Sequence, residues 1–126
     1  MTVYTKDCKV LNNTIHDPDS RMGRLVRTVF TNDGLTFANN LLSGPRISNE
    51  SKSKITFLNN LIKEATNSFA DPEHGNLHLI GSQTNIIDKG ILLPEMVEDI
   101  DREPRGAKID IGADELIQQD QSAQAF

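Results

Sequence analysis

The stretch TFANNLL (residues 36–42) recurs as TFLNNLI (residues 56–62) and, more loosely, as KVLNNTI (residues 9–15). The second asparagines of the three copies are separated by 27 and then by 20 residues. Repetition at such intervals is typical of proteins in which each repeat is one structural unit that stacks on the next. The sequence therefore predicts a stack of short coils.

Each copy begins with the period-two pattern of a β-strand. Two sets of apolar residues share one phase of that pattern: Val10, Phe37 and Phe57, and, two residues earlier, Cys8, Leu35 and Ile55. Because alternate residues of a strand face the same side, all six side chains are predicted to point into one core. Phe37 should then stack over Phe57 at the usual interstrand spacing of about 4.8 Å.

The doubled asparagines predict a sharp corner between two short strands, since asparagine tolerates the left-handed backbone region. Equivalent amides on stacked coils can also bond to one another, so Asn13, Asn40 and Asn60 are predicted to form a ladder. Three unrelated asparagine turns are the alternative, but the flanking apolar residues agree in all three copies. A stack of helices would need apolar residues at three-to-four spacing over 10 or more positions, and only a weak hint of this occurs.

We therefore expect an all-β chain, a right-handed parallel β-helix of about three coils with a C-terminal cap. Residues 1–68 are assigned to the coils, with residues 25–30 as a further strand of the first coil. Residues 69–117 are assigned to the last coil and the cap, and residues 118–126 to a polar, disordered tail.

Composition excludes several classes of function. The 13 basic and 18 acidic residues give a formal net charge of −5, which argues against nucleic-acid binding. The sequence has no run of 18 or more apolar residues, so no membrane span is predicted. The first residues are too polar for a secretory signal. Cys8 is the only cysteine, which excludes an internal disulfide, and we expect it to pack as a small buried apolar residue.

The second half of the chain carries a set of short motifs. They are FADP (residues 69–72), GNLHL (75–79), IIDKG (86–90), DIDREPR (99–105) and DIGADE (110–115). Their order resembles the end of bacterial extracellular β-helix proteins and is especially similar to polysaccharide lyase family six, the alginate lyase and chondroitinase B group. The resemblance covers residues 9–116, and residues 69–116 are its specific part. Two positions depart from the family pattern: Arg102 replaces a usual glycine and Ile86 a usual small residue.

The resemblance implies a parent protein that cleaves uronic-acid polymers by β-elimination, with a lysine base, a nearby arginine and bound calcium. It also implies a bacterial, periplasmic or secreted location. The motif that carries those catalytic and calcium-binding residues is absent, so no catalytic residue, metal ligand or cofactor is assigned to this chain. The chain corresponds to the coils after the active site, and we expect it to be inactive alone.

Few residues remain as candidates for a site. Arg21, Arg24 and Arg27 could bind an anionic polysaccharide through paired hydrogen bonds to carboxylates, although three solvated arginines are the simpler interpretation. The acidic residues of the second half, Asp88, Asp99, Asp101, Asp110, Asp114 and Glu115, favour a structural cap. Asp99 and Asp101 leave calcium binding as the alternative, because hard oxygen ligands suit that ion.

Two functions follow as hypotheses. The chain is either the C-terminal segment of a polysaccharide-lyase-like protein or a non-catalytic β-helix module for carbohydrate binding or surface attachment. A pectinase-like hydrolase is less favoured, because no set of aspartates lies on neighbouring coils. The expected partners are the missing N-terminal coils, or a second copy at an exposed N-terminal edge.

Overall fold

The computed structural model describes residues 2–19, 21, 25–44, 47–63, 65–81, 83–106 and 108–116, and for residues 2–5 the backbone only. The strands are β1 (Thr2–Lys6), β2 (Lys9–Leu11), β3 (Thr14–His16), β4 (Arg27–Asp33), β5 (Thr36–Ala38), β6 (Leu41–Ser43), β7 (Ser48–Asn49), β8 (Thr56–Leu58), β9 (Leu61–Ile62), β10 (Phe69–Asp71) and β11 (Asn76–Leu79). Two 3₁₀ turns, Thr66–Ser68 and Pro72–His74, flank β10. The predicted all-β class is confirmed.

The first nine strands form three parallel sheets, ordered β1-β4-β7, β2-β5-β8 and β3-β6-β9. The chain therefore visits the three sheets in the same order three times, and we call these visits the first pass (β1–β3), the second pass (β4–β6) and the third pass (β7–β9). The repeats lie in register, with Phe37 beside both Val10 and Phe57. The Phe37 and Phe57 rings stack with centroids 5.6 Å apart, as predicted.

Two sequence assignments need correction. The strand expected at residues 25–30 of the first coil is β4, which begins at Arg27 and opens the second pass, because it pairs with β1 on one side and β7 on the other. The last coil expected after residue 69 is instead an antiparallel pair, β10 with β11, which joins none of the three parallel sheets. Gly75, with a φ of 81°, allows the reversal between these two strands. The tail expected at residues 118–126 lies outside the described residues.

The prediction that Cys8 is buried is wrong. Cys8 is exposed, whereas Leu35 at the equivalent position of the second pass is 1% exposed. The phase of the repeat is the same, but the first pass has a neighbouring pass on one side only. A position is therefore buried by its place in the stack as well as by its phase.

The two leucines of β6 connect two hydrophobic cores. Leu42 packs with Leu25, Val26, Leu35 and Phe37 in the core between the passes. Leu41 points the opposite way, because neighbouring strand residues face opposite sides. It packs in a second core with Phe69, Leu79, Ile86 and Ile111. The central strand β6 of this sheet is consequently covered on both faces.

Candidate functional site

The second asparagines of the three copies form the predicted ladder. Asn13 Nδ2 donates to Asn40 Oδ1 at 3.0 Å, and Asn40 Nδ2 donates to Asn60 Oδ1 at 2.8 Å. The same two oxygens accept the backbone N–H groups of Asn13 and Asn40. The side chains thus join consecutive passes where the backbone turns from one sheet to the next.

The first asparagines form another ladder, which the sequence did not predict. Asn12, Asn39 and Asn59 have φ values of 51°, 57° and 57°, so these residues make the left-handed corner. Asn39 Nδ2 donates to Asn12 Oδ1 at 3.3 Å, and Asn59 Nδ2 donates to Asn39 Oδ1 at 3.1 Å. The doubling of the asparagine was the available signal, since one residue turns the backbone while the next bonds along the stack.

The C-terminal segment (residues 83–106 and 108–116) binds to this second ladder. Asn39 Nδ2 donates to Ile91 O at 2.7 Å, and its Oδ1 accepts Ile91 N at 2.9 Å. Asn12 Nδ2 contacts the carbonyls of Asp110 and Gly112 at 3.2 Å, and Asn59 Nδ2 donates to Lys89 O at 2.6 Å. The segment lies along the side of the stack and touches all three passes, whereas the sequence suggested a cap across an open end.

Gly112 is needed where this segment meets the stack. Its φ is 98°, and a Cβ there would lie 2.5 Å from Thr14 Oγ1 and 3.1 Å from Leu41 Cβ. Gly112 N donates to Asn39 O at 2.8 Å, and Ala113 N donates to Thr14 Oγ1 at 2.8 Å. The close approach of two backbones therefore depends on the missing side chain.

Arg105 organises the interior of the C-terminal segment. Its side chain is 1% exposed, and Nη1 lies 3.0 Å from Glu115 Oε1. The guanidinium also donates to the carbonyls of Glu98, Asp110, Gly112 and Ala113 at 3.1–3.4 Å. A buried arginine bonded in this way fixes the surrounding backbone, because leaving its donors unpaired would cost several kcal/mol, on the order of 3–5.

The nearby carboxylates hold turns together. Asp99 accepts the N–H groups of Asp101, Glu103 and Glu115 at 2.9–3.0 Å. Burial alone would raise the pKa of Asp99, but these three donors outweigh it and hold that pKa below its ordinary value. Oxygens that already accept backbone hydrogens in this way serve the fold, and the grouping of Asp99 with Asp101 and Glu103 does not by itself establish calcium binding.

Burial has the opposite effect around Arg105. It raises the pKa of Glu115 to about 7, with the Asp110 and Asp88 carboxyls acting in the same direction and Arg105 against it. Burial also raises the pKa of Asp110, which accepts the N–H groups of Asp88 and Leu116 at 2.8 Å. The carboxyl groups of Glu115 and Asp110 are thus both influenced by the one buried cation, Arg105.

His78 lies in a pocket of about 190 Å³ between the β10–β11 pair and the C-terminal segment. Its Nε2 is 2.6 Å from Asp101 Oδ2, and Nδ1 is 2.6 Å from Asn76 Oδ1. The hydrogen bond to Asp101 raises the pKa of His78. Both ring nitrogens of His78 are thus already bonded to oxygens of the protein. The Thr14 hydroxyl, which also lines the pocket, accepts Ala113 N.

The three candidate arginines do not form a common site among the described residues. Arg21 is exposed and lies 3.8 Å from Asp19 Oδ2, while Arg24 lies outside the described residues. Arg27 binds both carboxylate oxygens of Glu50, at 2.9 and 3.0 Å. A carboxylate of a polysaccharide would therefore have to displace Glu50 to obtain the same paired contact.

A shallow groove of about 520 Å³ lies beside Arg27. It is lined by Arg27, Val29, Phe30, Thr31, Glu50 and Lys52. Phe30 is 68% exposed and has a φ of 60°, which turns it out of the β4 strand pattern. The groove combines a flat apolar ring with two cationic side chains, a combination that the sequence did not reveal.

Comparisons with known proteins give no relative. The chain matches no family model, no curated protein and no solved structure. No helix among the described residues has the length and apolar character needed to cross a membrane. Functional inference therefore rests on the geometry and on the resemblance of the sequence motifs.

Proposed function

We propose that this chain is a right-handed parallel β-helix segment, similar to the C-terminal part of a family-six polysaccharide lyase, and that it serves as a non-catalytic structural module. Three passes in register, joined by two asparagine ladders, support this architecture. In this proposal the active site, the calcium ligands and the export signal belong to other parts of a periplasmic or secreted parent protein.

The single observation that carries the non-catalytic role is that the charged residues of the motifs are bonded to the protein's own backbone. In DIDREPR and DIGADE, the carboxylates of Asp99, Asp110, Asp114 and Glu115 accept backbone N–H groups. Arg105 is buried with all its contacts inside the segment. Residues that carry the family resemblance are thus engaged in folding, which is what a structural module requires.

A polymer degradation assay tests the absence of catalysis. The full chain, with and without added calcium, is mixed with alginate or chondroitin sulfate, and the ultraviolet absorbance of unsaturated uronate products is followed. We expect no increase over buffer. Product formation that survives repurification and is abolished by His78→Ala, in the one pocket described above that pairs an imidazole with a carboxylate, would overturn the proposal.

Carbohydrate binding without catalysis is a second candidate, favoured by the groove beside Phe30. An exposed aromatic ring offers a large apolar contact surface, and Lys52 can attract a uronate carboxylate, whereas Arg27 would have to exchange its pairing with Glu50 for one with the sugar. Titration of the isotope-labelled chain with alginate oligosaccharides should shift the amide signals of β4 and of residues 50–52. Phe30→Ala should abolish those shifts, whereas Leu92→Ala, which alters an equally exposed apolar residue, should leave them.

A further inference from the structure

Among the described residues, no further pass covers the outer edge of the third pass. Phe57, Leu58 and Ile62 are 37%, 44% and 40% exposed, whereas Phe37, Ala38 and Leu42 at the equivalent positions of the second pass are at most 1% exposed. A hollow of about 340 Å³ lies on this face. Its lining comprises Ile47, Asn49, Phe57, Asn59, Asn60 and Ile62. The apolar residues that a following pass would cover are therefore at the surface.

The hydrogen-bonding groups of this edge continue the pattern that joins the passes. Asn12 N donates to Ala38 O and Asn39 N to Leu58 O, so Asn59 N is the next donor in that row. Asn13 N and Asn40 N donate to the side-chain oxygens of Asn40 and Asn60, so Asn60 N is the next donor in the ladder. None of the described residues accepts either of these two N–H groups.

The first pass presents the complementary groups on its opposite edge. Leu41 N donates to Asn13 O and Leu61 N to Asn40 O, so Thr14 N of a following first pass would donate to Asn60 O. Thr36 N donates to Cys8 O and Thr56 N to Leu35 O, which assigns Lys9 N to Ile55 O in the same way. Asn13 Oδ1, which accepts no hydrogen bond from a described residue, would accept Asn60 N.

We propose that the open third pass of this chain, taken without the other parts of the parent protein, binds the first pass of a second copy, in the place that preceding coils would occupy, and so extends both the sheets and the asparagine ladder. A second copy is the favoured occupant for a reason of sequence. Its first pass pairs in register with the second pass, whose repeat TFANNLL closely matches the repeat TFLNNLI of the third pass. Two different surfaces meet in this contact, so the assembly is head-to-tail and continues as an open chain unless the rotation closes it. The sequence predicted self-association at the N-terminal edge, and this proposal uses both edges.

Two matched proline variants test the proposal. Because Asn12 N faces the second pass, Leu11 N faces away from it, and Leu11→Pro removes an edge donor of the first pass. Leu61 N and Lys63 N both face the second pass, so Ile62 N faces away, and Ile62→Pro removes an edge donor of the third pass. Circular dichroism and urea unfolding establish that each variant folds, and Leu11→Lys and Ile62→Lys replace any variant that does not.

Light scattering and analytical ultracentrifugation of the full chain give the readout. The average mass of the unsubstituted chain should rise at least about twofold with concentration, and rise further with salt, since its net charge of −5 opposes association. Each blocked variant alone should remain monomeric, while their mixture should form a one-to-one dimer through the two intact edges. Leu92→Lys, at an exposed apolar site next to Ile91, which bonds to the second pass, should associate like the unsubstituted chain.

Two results would overturn the proposal. One is a chain that stays monomeric at all concentrations and salt levels. The other is self-association of Leu11→Pro alone together with monomeric Ile62→Pro, because that result indicates a symmetric contact between two third passes.

Discussion

The three passes and the C-terminal segment hold their backbones in place in different ways. In the passes, one short sequence is used three times, and both ladders repeat the same bonds between equivalent residues. In the C-terminal segment, regular strands are absent among residues 83–106 and 108–116, and the backbone is held by Arg105 and by carboxylates that each make a different set of bonds. The comparison teaches that repetition distributes stability over many equal contacts, whereas the irregular segment concentrates it in a few buried polar groups.

The largest effect should follow removal of the buried cation. Arg105→Met keeps the length of the side chain but leaves Glu115 and four carbonyls without their donor. We expect a loss of about 3–5 kcal/mol in the free energy of unfolding, because the cost of an uncompensated buried charge is of that order. Urea unfolding measures it.

Arg27→Met is the matched control for that loss. Arg27 also contacts a glutamate through two nitrogens, but it lies on the surface of the second pass. Exposed ion pairs contribute little, so this variant should unfold close to the unsubstituted chain. Equal losses from the two arginines would mean that the C-terminal segment does not depend on one buried group.

Asn39→Ala should have the next largest effect and should weaken both regions. Asn39 is 0% exposed, and its side chain bonds to Asn12, Asn59 and Ile91. With the added cost of a left-handed alanine, we expect a loss of about 3 kcal/mol.

Asn40→Ala separates the bonding between passes from the bonding of the C-terminal segment to the stack. Asn40 is as buried as Asn39 and makes as many side-chain bonds, but its partners lie only within the passes. Amide hydrogen exchange should therefore show loss of protection at Ile91 and Gly112 for Asn39→Ala and retained protection there for Asn40→Ala. The same loss in both variants would argue against separate roles for the two ladders.

The pH dependence of stability should belong to the C-terminal segment. The pKa of Glu115 is raised to about 7 in the folded chain, above its unfolded value of 4.5, so its contribution is present below pH 4.5 and is lost as pH rises through 7. The raised pKa values of His78, Asp110 and Asp114 act in the same direction. We expect a decrease of up to about 3 kcal/mol between pH 4.5 and 7.5.

Glu115→Gln removes this titrating group while keeping an oxygen for Arg105 and for Asp110 N. Urea midpoints measured across the same pH range should therefore vary less for this variant than for the unsubstituted chain. An unchanged pH dependence would assign the effect to other groups.

The smallest effect should come from Arg102, which is exposed and has a φ of 65°. Arg102→Gly relieves a left-handed non-glycine residue, and we expect a gain of about 0.5–1 kcal/mol in the free energy of unfolding. Arg102→Ala keeps that backbone cost and should give no gain. If alanine stabilised as much as glycine, the charge of Arg102 rather than its backbone would be responsible.

The sequence predicted the passes because their information is repeated and local. The phase shared by Phe37 and Phe57 gave the register, and the doubled asparagines indicated both a corner and a ladder. The same reasoning was wrong for Cys8, because phase does not show where a stack ends. Arg102, which replaces a usual glycine of the resembled motif, was expected to change the local turn, but it keeps a left-handed φ of 65°.

The bonds of the candidate site could not be predicted from the sequence. Asn39 and Ile91 are 52 residues apart, and His78 and Asp101 are 23 residues apart, with no repeated pattern that joins either pair. The groove at Phe30 depends on one backbone angle in β4. Such contacts join segments that share no repeat and are distant in the sequence.

Amide hydrogen exchange of the unsubstituted full chain tests most directly whether the C-terminal segment is bound along the asparagine corner. Ile91 N and Gly112 N, which bond to Asn39, should exchange as slowly as Leu41 N and Leu61 N, which bond between passes. Fast exchange at Ile91 and Gly112 beside slow exchange at Leu41 and Leu61 would contradict the account, because the segment would then not be held by the stack.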